Sequence, residues 1–323
     1  VNNIINTPKP SKLRSSHNAF SQVSIEGSIS KTFQSECCWC FGARYPYTKN
    51  NLFFGDPSIL PKTIFVCLDN INNLLSTLPD IPKDHKFVLI IGDTDHTFPQ
   101  QVDARYSINF LDAYEQLISD NRILHIFCVH LDIPKNERIS PLPVGFDFKW
   151  IDPNFDIEYD IDINSKLFKI FDCSRIRGGD QWADREQAKT FCCKYWSDFC
   201  DSFSETSPLE FSENLSKYAF VLCPHGGGLE PNPKVFHSLL YGSIPIVKQF
   251  VNCEILYIDL PVAFIPDWKP EHITAEKLKI WIESFQDYFY NKEKRQGVLN
   301  KLTTDYWKEY IQKESKADFK LFS

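Results

Sequence analysis

Methionine is absent from all 323 residues, position 1 included. A chain of this length ordinarily carries several, and the numbering counts from Val1. Long hydrophobic runs are missing too. No stretch reaches the ~18 apolar residues a bilayer-spanning helix needs, which excludes such a helix from the sequence given. The first 34 residues hold Pro8, Pro10 and several Ser and Asn. They have no apolar segment behind a basic start, so no secretory leader is visible. Positive charge is in deficit: 35 Lys and Arg face 42 Asp and Glu, giving a net charge of −7. A nucleic-acid coat or a polybasic membrane binder needs the opposite balance. Any anionic ligand must therefore meet cations that are gathered locally. Metal-ligand spacing is also lacking. Eleven cysteines are present, yet only Cys37 and Cys40 form a C-x2-C unit, with no second pair at a suitable distance. The expectation is buried thiols or one or two disulfides, with no structural metal. The odd count leaves at least one thiol free or paired between chains. One N-x-S/T sequon occurs, Asn214-Leu215-Ser216, relevant only to a secreted chain.

What is present is an alternation of buried strands and amphipathic helices. The runs Thr63–Leu68, Lys86–Gly92 and Ile123–Val129 are continuously apolar, as strands covered on both faces of a parallel sheet are. Between the last two, Ile108, Leu111, Tyr114, Leu117 and Ile118 recur at helical spacing. Pro141 to Gly145 closes this half, and the acidic, aperiodic stretch from Asp147 to Asn164 marks a junction near residue 150. The alternation then resumes. Strands are expected at Leu167–Phe171, Tyr218–Cys223, Ile244–Val247 and Val262–Ile265. Helices are expected at Asp184–Cys200, Val235–Tyr241, Thr274–Phe289 (capped by Thr274) and, as one long element, Lys292–Lys313, with a short helix or turn over Ile255–Asp259. The pattern predicts an α/β fold of two Rossmann-like halves. Their expected bounds are an irregular lead-in over 1–36, a first domain over 37–149 and a second over 150–323.

The segment from Cys223 to Val247 carries the clearest chemistry. His225-Gly226-Gly227-Gly228 follows directly on a strand, and a helix opens near Pro233 with Lys234 in its first turn. Glycine lets backbone approach a ligand closely, and the end of a strand in an open α/β sheet is where ligands bind. The pattern matches neither the phosphate loop G-x4-G-K-[ST] nor the dinucleotide fingerprint G-x-G-x-x-G. A diphosphate is the group such a glycine loop and lysine suit. A tight strand-to-helix turn, with His225 packed or capping, is the plainer alternative.

The same segment resembles the C-terminal signature of exostosin-like glycosyltransferases. The matching residues are Phe220-Val221-Leu222-Cys223-Pro224, Gly226, Gly228, Leu229-Glu230, Phe236, Leu239, Gly242 and Ile244-Pro245-Ile246-Val247. Leu260-Pro261-Val262 with Asp267-Trp268, Ile139 to Gly145, and Asp184-Arg185 resemble neighbouring elements of that family. The likeness runs over about residues 120 to 285. It implies a GT-B fold: two Rossmann-like domains facing a cleft, with C-terminal helices packing back. It implies a Leloir transferase that moves a sugar from a nucleoside diphosphate sugar, UDP-linked in the first instance, to a hydroxyl of a glycan or glycoconjugate. Inversion and independence of bound metal come with the same resemblance, and no cofactor beyond the donor is called for. A non-catalytic glycan-binding or partner subunit of the same fold is the alternative. Many members carry an N-terminal anchor and reside in the Golgi lumen; a chain without one would be cytoplasmic.

A metal-independent transfer needs cations against the leaving diphosphate. Arg175, Arg185 and Lys234 are the candidates, with Arg177 and Lys248 behind them. His225, Gly226, Gly227, Gly228, Glu230 and His237 complete the expected donor site. Many members have a Glu after the aromatic at Phe236, whereas this chain has His237 there and one extra residue between Leu229 and Phe236. His237 donating to a ribose hydroxyl, Glu230 taking that task, and a degenerate site are three readings of the change. An inverting reaction also needs a base to deprotonate the acceptor. Asp93 or Asp95, directly after the strand ending at Ile91, is expected to serve, with His130 a weaker candidate.

Overall fold

The computed structural model describes residues 29–42, 53–92, 94–102, 105–152, 155–176, 183–231 and 233–322. It contains two five-stranded sheets, each wholly parallel, facing one another across a cleft.

The first sheet is built from β1 (Trp39–Phe41), β2 (Thr63–Val66), β3 (Phe87–Ile91), β4 (Ile123–Val129) and β5 (Ile139–Leu142), in that spatial order. Successive side chains of a strand point to opposite faces, and the two faces enter different cores. Ile64, Val66, Leu89 and Ile91 pack with Ile71 and Leu74 of α2 (Ile71–Thr77) and Leu117 of α3 (Leu111–Ser119). Phe65, Val88, Ile90, Phe127 and Val129 point the other way. Because every crossover steps in one direction, right-handed connections leave that second face without a helix of its own. It is covered from the chain's ends. Ile29 and Phe33 of α1 (Ile29–Glu36) and Trp307 and Ile311 of α11 (Thr304–Ser315) close it. So the last helices do pack back on the first domain. The lead-in, expected to be irregular to residue 36, ends instead in α1, because the apolar pair Ile29 and Phe33 lies one helical turn apart.

The second sheet runs β10 (Ala263–Ile265), β9 (Ile244–Lys248), β8 (Tyr218–Leu222), β6 (Leu167–Asp172), β7 (Cys200–Ser202). One face packs on α4 (Ala183–Lys194) and α8 (Ala275–Phe285), through Ala188, Cys192, Leu278 and Ile282. The other meets α5 (Pro208–Lys217) and α6 (Lys234–Leu240), through Phe211, Leu215, Val235 and Leu239. This second core is continuous with the α1–α11 side of the first domain.

Four expected elements differ. The helix forecast to Cys200 stops at Lys194, and Cys200–Ser202 becomes an edge strand paired with β6. The forecast 292–313 helix is two, α10 (Lys292–Lys301) and α11, because Thr303 turns extended and its side chain accepts from Tyr306 N. The forecast 274–289 helix is likewise two, α8 with its Thr274 cap and the short α9 (Asp287–Tyr290). α7 (Cys253–Leu256) lies slightly ahead of the turn forecast at 255–259. All eleven cysteines are free thiols.

Candidate functional site

In the second sheet the chain goes from β6 outward to β7 and then returns to β8 on the other side of β6. The switch point therefore lies between β6 and β8, and in open α/β sheets the ligand crevice opens beyond the strand ends there. A cleft of about 420 Å³ occupies this position, within the range of small-molecule sites. From the second domain it is lined by Cys173 and Arg175 after β6, Glu205 and Thr206 after β7, Gly226 and Gly227 after β8, Arg185, Phe211, Pro233, Lys234 and His237. The first domain contributes Asp95, and the junction contributes Asp147, Lys149 and Trp150.

The loop after β6 is held by Asp172, which is fully buried. Its carboxylate accepts from Ser174 N at 2.9 Å and Ser202 Oγ at 2.7 Å. Lys189 ties the same loop down by donating to the carbonyls of Ser174 and Phe203. Ser174 Oγ in turn accepts from Lys234 Nζ at 3.1 Å, which places that ammonium at the cleft wall. Arg185, third residue of α4, donates Nε to the carbonyl of His225 at 2.7 Å. Its neighbour Asp184 binds Lys248 at 2.6 Å and lies 3.4 Å from His225 Nδ1. The guanidinium of Arg175 faces Glu205 at 3.5 Å, and Lys149 faces Asp147 at 3.1 Å.

The structure thus brings Asp95, Arg175, Arg185, Gly226, Gly227, Lys234 and His237 to one cleft. Five of the described residues named from the sequence do not line this cleft: Lys248 pairs with Asp184, His130 lies against Gly228 and Glu230, and His225, Gly228 and Glu230 face elsewhere. The His225 side chain lies against Asp184 and the edge of Phe250, and burial pushes its pKa down to about 4. Gly228 has the His130 ring where a Cβ would stand. Glu230 sits in the seam between the domains. Its Oε1 accepts from Val144 N at 3.0 Å, and its Oε2 accepts from the Tyr257 hydroxyl at 3.3 Å. Desolvation pushes the Glu230 carboxyl up to about 8, so it is largely protonated at neutral pH. It was a candidate for the ribose because it followed the glycine loop; the backbone turns it inward, away from the cleft. Asp93 and Arg177 lie outside the described residues.

His237 lines the cleft, but its Nε2 accepts from Asp147 N at 3.3 Å and its ring stacks on Phe146. Burial lowers its pKa to about 4, so the imidazole is neutral. Tyr241, one turn on, accepts from Asp152 N at 3.0 Å. Glu230, His237 and Tyr241 therefore fasten the loop and α6 to three amides of the junction.

The glycines do a different job from the one their run suggested. None of the three has a positive φ. Gly227 lacks a side chain because the Asp95 carboxylate of the other domain fills that space, and Gly228 because His130 does. Sequence reasoning missed Arg105, which donates Nη2 to Gly227 O at 2.6 Å and Nη1 to Asp95 Oδ2 at 3.2 Å. It also missed Trp150 and Phe211, whose rings meet edge to face at 5.5 Å on the cleft wall. Trp150 stands in the aperiodic junction, Phe211 in a helix that was not read from the sequence, and Arg105 in a loop with no motif.

No family model matches the chain, and no curated protein matches it. Solved structures are similar at low identity. HepE from Anabaena in complex with UDP superposes with a TM-score of 0.47 at 10% identity, over 80% of this chain and 79% of that one. Trehalose-6-phosphate synthase OtsA gives 0.47 at 9%, over 80% and 72%. Sucrose-phosphate synthase from Thermosynechococcus elongatus gives 0.44 at 9%, over 79% and 74%. Likenesses this distant carry no argument about substrate or residue roles, which are argued from the cleft itself.

Proposed function

We propose that the chain is a Leloir glycosyltransferase that binds a nucleoside diphosphate sugar, UDP-linked in the first instance, and passes the sugar to a hydroxyl of a glycan or glycoconjugate. The observation that carries this reading is the position of the cations. Arg175, Arg185 and Lys234 line one cleft with the Gly226–Gly227 backbone, at the switch point of the second sheet, in a protein whose net charge is −7. In such a site fixed positive groups stabilise charge developing on the leaving diphosphate, so transfer proceeds without a bound metal. Asp95, which reaches the glycine loop from the first domain, is the carboxylate assigned to take the acceptor's proton, and direct displacement with that base inverts the anomeric centre. The exostosin-like subtype rests on the motif residues alone.

The alternative of a non-catalytic glycan-binding subunit has one observation in its favour. His237 stands where a ribose-binding Glu is common, and its Nε2 is already occupied by Asp147 N. Thermal unfolding with nucleoside diphosphates at millimolar concentration separates the two. The enzyme reading expects UDP or GDP to raise Tm by several degrees, as ligand binding to the native state alone must. No rise with any nucleoside diphosphate contradicts it.

A further inference from the structure

Asp95 and the glycine loop were singled out for opposite tasks, one as a base in the first domain and the other as a diphosphate cradle in the second. In the fold they touch. The Asp95 carboxylate occupies the space a Gly227 side chain would need, while Asp95 itself is half exposed to the cleft. A carboxylate in that place repels a diphosphate bound along the same loop, and the low dielectric of a cleft strengthens the repulsion. The one described cation bridging the pair is Arg105. Its guanidinium places Nη1 at 3.2 Å from Asp95 and Nη2 at 2.6 Å from the Gly227 carbonyl. Its plane is steadied by the Tyr106 ring, 4.9 Å from Cζ. Tyr106 packs on His96 at 3.8 Å, and His96 is bound through Nε2 to Asp69 and through Nδ1 to Gln101. Arginine's forked donors suit this double contact, where a lysine would reach one partner at a time.

We infer that Arg105 is a positioning residue for the transfer: it offsets the Asp95 charge so that an anionic donor can lie beside the base, and it pins the glycine loop by its Gly227 carbonyl. The inference rests on the donor reading above for its first half. The second half stands without any ligand.

The test uses the full chain, with UDP as the probe, in calorimetric titrations of Arg105→Ala, Asp95→Asn, the double variant and Arg105→Lys. Arg105→Ala should weaken UDP binding about tenfold, because a like charge is left facing the diphosphate. Asp95→Asn should bind UDP at least as well as the parent. The double variant should recover to within about threefold of the parent, and Arg105→Lys should fall between. A double variant as weak as Arg105→Ala overturns the charge-offset role, since a loop that had merely collapsed would not be rescued by removing Asp95. Amide hydrogen exchange without nucleotide is the separate arm. Arg105→Ala should speed exchange at Gly226–Gly228 several-fold, and unchanged exchange there overturns the pinning role. If the parent binds no nucleoside diphosphate the donor reading fails, and the exchange arm still decides whether Arg105 holds the loop.

Discussion

Glu230 shows how far one residue's meaning depends on where the backbone turns. In the sequence it is a carboxylate beside three glycines. In the fold it is a buried acid between Val144 and Tyr257, with His130 Nδ1 3.9 Å away. Its pKa rises from an ordinary 4.5 to about 8 because burial disfavours the charged form. Between these two values the native state holds a proton that the unfolded chain has released, so stability falls as pH rises through that window. His225 and His237 act in the opposite sense. Each drops from 6.5 to about 4 on burial, so the stability they contribute is present above pH 6.5 and is lost as pH falls toward 4. The Glu230 contribution to the unfolding free energy should therefore decline from pH 6.5 to pH 8, while burial of Lys166, which lowers its pKa from 10.5 to about 7, acts in the opposite sense above pH 7. Glu230→Gln keeps an acceptor for Val144 N and removes the titration. Urea unfolding at pH 6.5 and pH 8 should show the parent losing stability relative to the variant between the two values. The same slope in both would show that Glu230 is not the group responsible.

At the scale of elements, the continuous apolar runs were legible because strands covered on both faces need no polar alternation. Ile123–Val129 is the case in point, matching β4 at both ends. Short or edge elements escaped. β1 and β7 have three residues each and went unread, whereas β10, equally short, was legible through the apolar run Val262–Ile265. α5 was missed although its start is written in Ser207-Pro208-Leu209-Glu210, where Ser207 and Glu210 form a reciprocal capping box with Pro208 in the first turn. Contacts between distant elements left no local trace at all. Arg295 of α10 reads as one more surface charge in a polar helix, yet it is fully buried. It donates to the carbonyls of Leu239 and Leu240 at 2.6 and 2.7 Å, capping the last turn of α6, and to Glu158 O at 3.1 Å. Arg295→Met removes the donor from two buried carbonyls and from a third on the exposed Glu158, and should cost about 2 kcal/mol or more, seen as a lower urea midpoint with an unchanged m-value. A midpoint equal to the parent's would mean that α6 is held without this cap.

For the whole molecule, composition announced two domains and an acidic surface, and the alternation of strands and helices announced the α/β class. What stayed hidden was how the halves are joined. The α1–α11 side of the first sheet and the α5–α6 side of the second form one continuous core. The glycine loop is held across the seam by Asp95, Arg105 and His130. Such a joint depends on residues more than 100 positions apart, such as Arg105 and Gly227, and no periodicity reports it. Its consequence is a cleft whose two walls meet through these contacts, with Lys234, Arg185 and Arg175 on one of them. Calorimetric titration of UDP against the parent and Lys234→Met tests that assignment most directly, because methionine keeps the stem that packs and removes the charge. Binding by the parent and a loss of about tenfold or more in the variant is the predicted result; equal affinity in both would place the diphosphate somewhere other than this cleft.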